Sequence, residues 1–129
     1  MKKILITGGA GYIGSMLSTD LINLGHKVTV IDLLKYDNGS LDHLYINKNF
    51  KFINDDARKS SLIKKCVKNH EYIIPLAGLV GAPLCEKNKK DAITTNLDAI
   101  KLILKFLTKK NKLIYLTTNS GYGIGEKDK

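Results

Sequence analysis

The stretch that most narrows the possible folds runs from Lys3 to Gly14. An unbroken apolar run, Ile4-Leu5-Ile6, passes directly into Thr7-Gly8-Gly9-Ala10-Gly11-Tyr12-Ile13-Gly14. The apolar run is what a parallel strand buried on both faces requires. Gly9-x-Gly11-x-x-Gly14, with Gly8, Gly11 and Gly14 as a second reading spaced every three residues, then opens a helical pattern. Glycines so placed make a tight strand-to-helix turn, let the main chain approach a bulky anion, and let the helix pack closely on its strand. Free N–H groups at the helix start, around Tyr12 and Ile13, face such an anion with the helix dipole behind them.

The context of this turn raises it above an ordinary glycine-rich loop. Ile13, Met16, Leu17, Leu21 and Leu24 repeat at helical spacing and predict one apolar helix face, Gly25 supplies a C-cap, and Lys27 to Ile31 reads as a second strand. Asp32 closes that strand 18 residues after Gly14, where a carboxylate would accept hydrogen bonds from the ribose of a bound dinucleotide.

The 129 residues make one domain with a core of its own, and 43% apolar with 26% charged residues argues against disorder. No apolar run reaches the length of a membrane span and the N-terminus has no signal-peptide layout, so a cytoplasmic protein without membrane attachment is expected. Cys66 and Cys85 lack metal-ligand or CxxC spacing, and no metal site is expected. The formal charge of +9 raises nucleic-acid binding as a reading. Of the 21 basic residues, however, all but Arg58 are lysine, and they are spread over several faces without interleaved aromatics. Specific readout leans on arginine forks, so a solvated lysine surface and no specific nucleic acid are expected.

Further along, Asp37-Asn38-Gly39-Ser40 signals a turn before a short helix at Leu41. Phe50 to Asn54 reads as a third strand ending in Asp55-Asp56-Ala57-Arg58, Ser60 to Lys68 as a helix, and Tyr72 to Leu76 as a fourth strand with Pro75 at its end. Leu79 to Lys90 reads as a loop or an irregular helical turn. Asp91 to Lys109 reads as one helix with Ile93, Leu97, Ile100, Leu104 and Leu107 in a stripe. Asn96 shares the angular position of Ile100, Ile103 and Leu107, which predicts a buried amide with main-chain or ligand partners. Lys112 to Leu116 reads as a fifth strand, followed by Thr117-Thr118. Five strands joined by helical crossovers, with a glycine turn after the first, give an α/β doubly wound parallel sheet of order 3-2-1-4-5. Gly8 to Gly14, Asp32, Asp56, Leu76 to Gly78 and Thr118 fall at one sheet edge.

These residues resemble the extended short-chain dehydrogenase/reductases, specifically the NAD-dependent epimerase/dehydratase family acting on nucleotide sugars. Thr7 to Gly14 is similar to its fingerprint almost letter for letter, and the resemblance covers the whole chain. It implies a Rossmann-type NAD-binding domain over residues 1–129, short of the family's later strands and substrate domain. It implies NAD as cofactor, with Gly8, Gly11, Tyr12, Ile13 and Gly14 at the phosphates and Asp32 on the adenosine ribose. Asp56-Ala57-Arg58 looks like the family's Asp-x-Arg, whose aspartate and following main chain meet the adenine. Leu76, Ala77 and Gly78 look like the turn passing along the cofactor, although Pro75-Leu76 stands where the family more usually has His and an apolar residue. Asn96 matches an asparagine near the nicotinamide-side ribose, and Thr118 falls where the family has its active-site Ser or Thr. Asn38 and Ser40 are candidate phosphate or adenine contacts.

The resemblance also implies a nucleotide-sugar substrate and allows a homodimer. The family's proton-transfer Tyr-x-x-x-Lys pair is missing. Tyr12, Tyr36, Tyr45, Tyr72, Tyr115 and Tyr122 are followed four residues on by Met16, Ser40, Asn49, Leu76, Asn119 and Glu126. The 129 residues are therefore expected to bind cofactor without turnover. The alternative is a non-catalytic dinucleotide-binding sensor or scaffold of the same fold.

Overall fold

The computed structural model describes residues 1–36 and 39–117; Asn38 and Thr118 lie outside them. Strands β1 (Lys3–Thr7), β2 (Lys27–Asp32), β3 (Phe50–Asn54), β4 (Tyr72–Pro75) and β5 (Lys112–Leu113) form one sheet of order β3-β2-β1-β4-β5. Every pairing is parallel, with Ile6 opposite Val30 on one side and Ile74 on the other. The order follows from right-handed crossovers on a chain that reverses its direction of winding after the third strand. Pro75 ends β4 opposite Thr7, where its missing N–H costs no further ladder bond.

Helix α1 (Tyr12–Asn23) covers one sheet face, and α2 (Ser60–Asn69) and α5 (Ala99–Phe106) cover the other. Leu5, Ile31, Ile63, Val67, Ile73 and Ile103 are fully enclosed on the second face. On the first, Ile4, Ile6, Val28, Val30 and Ile74 meet Ile22, Leu41 and Leu44. Leu44 belongs to a short 3₁₀ turn, Asp42–Leu44, in the region where the sequence predicts a helix.

The face α1 presents differs from the predicted stripe. Gly14, Ser18 and Ile22 are buried, with Leu17 and Leu21 beside them, while Ile13, Met16 and Leu24 are exposed. Small residues line the contact because the helix sits close on β1. A Cβ on Gly14 would lie 2.5 Å from Gly9 Cα. The buried Ser18 hydroxyl donates to the Gly14 carbonyl at 2.7 Å, so its burial leaves no unpaired group.

The predicted single helix from Asp91 to Lys109 is also corrected. The chain forms α3 (Ala82–Lys87), α4 (Lys89–Ile93), a π turn (Thr94–Asp98) and α5. The wider turn shifts the angular register, so Ala99 and Ile103 are buried, whereas Ile93, Leu97 and Leu104 are exposed. Asn96 is exposed rather than buried. The fifth strand is shorter than its apolar run, pairing over Lys112–Leu113 with one further bond from Ile114 N–H to the Ile73 carbonyl. No helix among the described residues is long and apolar enough to cross a membrane.

Candidate functional site

A crevice of about 640 Å³ opens at the carboxyl ends of β1, β2, β3 and β4. One wall is the glycine turn. Gly8, at φ +74°, must be glycine: a side chain there would drive a Cβ to 2.4 Å from Ala77 N. That near-contact brings the turns after β1 and β4 together at the point where the winding reverses, the place ligands occupy in such sheets. Helix α1 begins beyond it with Gly11 as N-cap and no side-chain hydrogen bond capping its N-terminus. The N–H groups of Tyr12 to Gly14 have no intrahelical acceptor, so the helix end offers donors and positive potential. Gly11, Tyr12 and Ser15 line the crevice there.

The floor is set by Asp32. Its Oδ2 accepts from Ala10 N–H at 3.0 Å and its Oδ1 from Leu34 N–H at 2.9 Å, so one half-buried carboxylate braces the glycine turn and the loop after β2. Each oxygen keeps lone-pair capacity for a hydroxyl. Leu34 sits at φ +52°, a left-handed conformation rare for leucine. It turns the chain so that Lys35 and Tyr36 border the crevice. Ser40, also at its edge, donates from Oγ to the Ala10 carbonyl at 2.8 Å.

The far wall carries Asp56, Ala57 and Arg58. Arg58 grips Asp56 with Nε 3.0 Å from each carboxylate oxygen and Nη2 2.7 Å from Oδ2. Hydrogen bonds from this guanidinium hold the Asp56 carboxyl below the usual carboxylate range, against the cost of its partial burial. The pair likewise raises the Arg58 pKa.

The sequence-predicted residues divide in two. Gly8, Gly11, Tyr12, Asp32, Asp56, Ala57, Leu76, Ala77 and Gly78 all border the crevice. Ile13, Gly14 and Asn96 do not. Gly14 packs beneath the turn, Ile13 is exposed beside it, and Asn96 clasps Leu79 with hydrogen bonds of 2.8 Å to both its N–H and its carbonyl. Lys35, Tyr36, Leu84 and Asp91 line the crevice without having been singled out from the sequence. Lys35 and Tyr36 could have been found, since they lie three and four residues after Asp32. Leu84 and Asp91 reach it only through the tertiary fold. Among the described residues no three His, Cys, Asp or Glu side chains are grouped to hold a metal ion.

A strand, an uncapped glycine turn and a terminal carboxylate around one crevice describe a fold and a pocket shared by many nucleotide-binding proteins. The family model for the NAD dependent epimerase/dehydratase family matches residues 4–129. The chain belongs to that family. Its relatives include a UDP-N-acetyl-alpha-D-glucosaminuronate decarboxylase of Bacillus cytotoxicus, 34% identical over 96% of this chain and 39% of the relative. Among solved structures, the UDP-glucuronic acid 4-epimerase of Bacillus cereus, in complex with UDP-glucuronic acid and NAD, superposes with a TM-score of 0.84 at 28% identity. That match covers 96% of this chain and 42% of the epimerase. The UDP-Glc/GlcNAc 4-epimerase of Campylobacter jejuni gives a TM-score of 0.84 at 26% identity over 95% and 39%. The chain thus spans about two fifths of the length of the family members it matches.

Proposed function

We propose that this chain is the NAD-binding portion of a nucleotide-sugar epimerase or dehydratase, and that its crevice takes the cofactor. The observation that carries this reading is the pairing of the uncapped α1 N-terminus with the Asp32 carboxylate across one crevice. The first offers N–H donors to a pyrophosphate, and the second offers acceptors to the adenosine ribose. Asp56 and Ala57 add an acceptor beside a donor. Among the described residues nothing accepts from Ala57 N–H, and the Asp56 carboxylate stays ionised. An amino group next to a ring nitrogen on the adenine edge has the complementary pattern.

The residues present therefore fit NAD, and in the family NAD serves as hydride acceptor and donor at a sugar carbon. This chain's own groups bind and orient. The helix end fixes the phosphates, Asp32 fixes the ribose, and Ala77 and Gly78 leave the cofactor room along the turn after β4. Family relatives named for UDP-sugars support a nucleotide-sugar substrate. Thr118, outside the described residues, keeps its assignment as the hydroxyl hydrogen-bonded to the reacting oxygen on the family pattern alone. Asn96 acts on the cofactor through Leu79.

Titration with NAD, followed by quenching of tyrosine fluorescence or by calorimetry, tests this reading. Saturable binding at a one-to-one ratio is expected, and its absence would overturn it. A second reading, a dinucleotide-binding sensor or scaffold, is favoured by one observation: none of the six tyrosines has a lysine four residues on. Both readings expect no epimerisation or dehydration by these 129 residues, and turnover of a nucleotide sugar by them would refute both. A Tyr-x-x-x-Lys encoded beyond Lys129 would favour the enzyme.

A further inference from the structure

Arg58 has more partners than its own loop requires. While Nε and Nη2 hold Asp56, Nη1 crosses the crevice wall to Asp91 Oδ1 at 3.1 Å and to Thr94 Oγ1 at 2.8 Å. The Thr94 hydroxyl also lies 3.3 Å from the Asp91 carbonyl, and Asp91 Oδ2 is 4.0 Å from Lys35 Nζ. Two residues further along the same π turn, Asn96 clasps Leu79 on the opposite wall. The loops that follow β2, β3 and β4 are thus all tied to one six-residue stretch, Asp91 to Asn96.

We propose that this stretch gauges the crevice, with Arg58 as a positioning residue that Asp91 and Thr94 hold so that the Asp56 carboxylate faces the adenine ring. The inference rests on the NAD reading above. The chemistry favours arginine specifically. A planar guanidinium can fix the plane of one carboxylate while sending a remaining N–H group to a second helix. An ammonium carries the same charge but cannot hold both geometries at once. Without the anchor on α4, Asp56 would keep its charge and lose its direction. The result is a loss of discrimination at the adenine edge and not merely a loss of affinity.

The experiment compares NAD with nicotinamide hypoxanthine dinucleotide, in which a carbonyl replaces the adenine amino group. Both are titrated against the full-length protein and its Arg58→Lys and Asp91→Asn variants. The parent is expected to prefer NAD, and each variant to lose most of that preference, by about tenfold, the scale of one charge-assisted hydrogen bond. Should Arg58→Lys fail to fold, Thr94→Val removes a single bond of the anchor and should erode the same ratio to a smaller extent. Variants that bind both dinucleotides more weakly with the preference intact would overturn the proposal, as would variants indistinguishable from the parent. A parent that binds neither dinucleotide would overturn the NAD reading itself.

Discussion

Asp32 Oδ2 accepts a hydrogen bond from Ala10 N–H at 3.0 Å, so the acid at the end of the second strand braces the glycine turn that follows the first. It serves the fold and the proposed ligand at once. Replacing Asp32 by Ala should weaken NAD binding by about tenfold or more and should relax discrimination against NADP, since the carboxylate repels a 2′-phosphate. Parallel titrations with the two cofactors check this. Equal affinity of the unmodified chain for both would count against the assigned role.

Gly14 should tolerate no side chain. A Cβ there would lie 2.5 Å from Gly9 Cα and 2.6 Å from the Gly8 carbonyl oxygen, both rigid main-chain atoms. Gly14→Ala should therefore push α1 off β1 and cost about 1–3 kcal/mol, the usual range for overpacking. Urea denaturation measures this, and NAD affinity should fall with it because the helix end moves. A stability unchanged from the parent would contradict the close approach.

His70 predicts a pH dependence of stability. Its Nδ1 lies 2.6 Å from the Cys66 carbonyl and must carry the proton, and its Nε2 lies 2.8 Å from Thr29 Oγ1, whose hydroxyl it can accept. Burial lowers the His70 pKa. The Cys66 carbonyl opposes that shift, and the charges of Lys3 and Lys51 reinforce it. Unfolded, the imidazole titrates near 6.5, above its folded value, so the unfolded chain binds more protons between the two. Stability is full above about pH 6.5 and declines as pH falls toward the folded value. Denaturation midpoints should drop between about pH 7.5 and pH 5.5, and a His70→Asn variant should show a flatter profile over that window. Identical slopes for both proteins would refute the assignment.

Asn111 binds two carbonyls at the end of α2. Its Nδ2 donates to Val67 O at 2.9 Å and His70 O at 2.7 Å, and its Oδ1 accepts from Thr108 N–H at 2.8 Å. Asn111→Ala would strip these partners from the end of α2 and the entry to β5, at a cost of about 1–3 kcal/mol. Amide exchange should quicken at Thr108 ahead of the central strands. Uniform exchange with unchanged stability would show that water replaces the amide without penalty.

Much of this fold is legible wherever neighbouring residues decide the outcome. Ile4 to Ile6, the glycines and Asp32 declare a strand, a turn and a strand end through local pattern, and handedness then fixes the sheet order. Which way α1 turns is not local. Ile13 and Met16 outrank Gly14 and Ser18 in hydropathy, yet only the small pair allows the helix to approach β1. The π turn is hidden for a similar reason, because Thr94 to Asp98 carry no glycine or proline to mark it. Half the crevice wall was readable as motif. Asp91 was not, because its tie to Arg58 spans 33 residues and exists only once the fold has brought the loop after β3 to α4.

Because the Thr94–Asp98 turn is wider than an α-helical one, its residue count is constrained separately from its composition. Each residue of a helix rotates the next by about 100°. Deleting one residue here would mend the helix but swing Thr94 and Asn96 out of phase, so that one loop or the other would be released. Lineages of this protein should accordingly exchange amino acids at exposed Leu97 far more readily than they shorten or lengthen the segment around it.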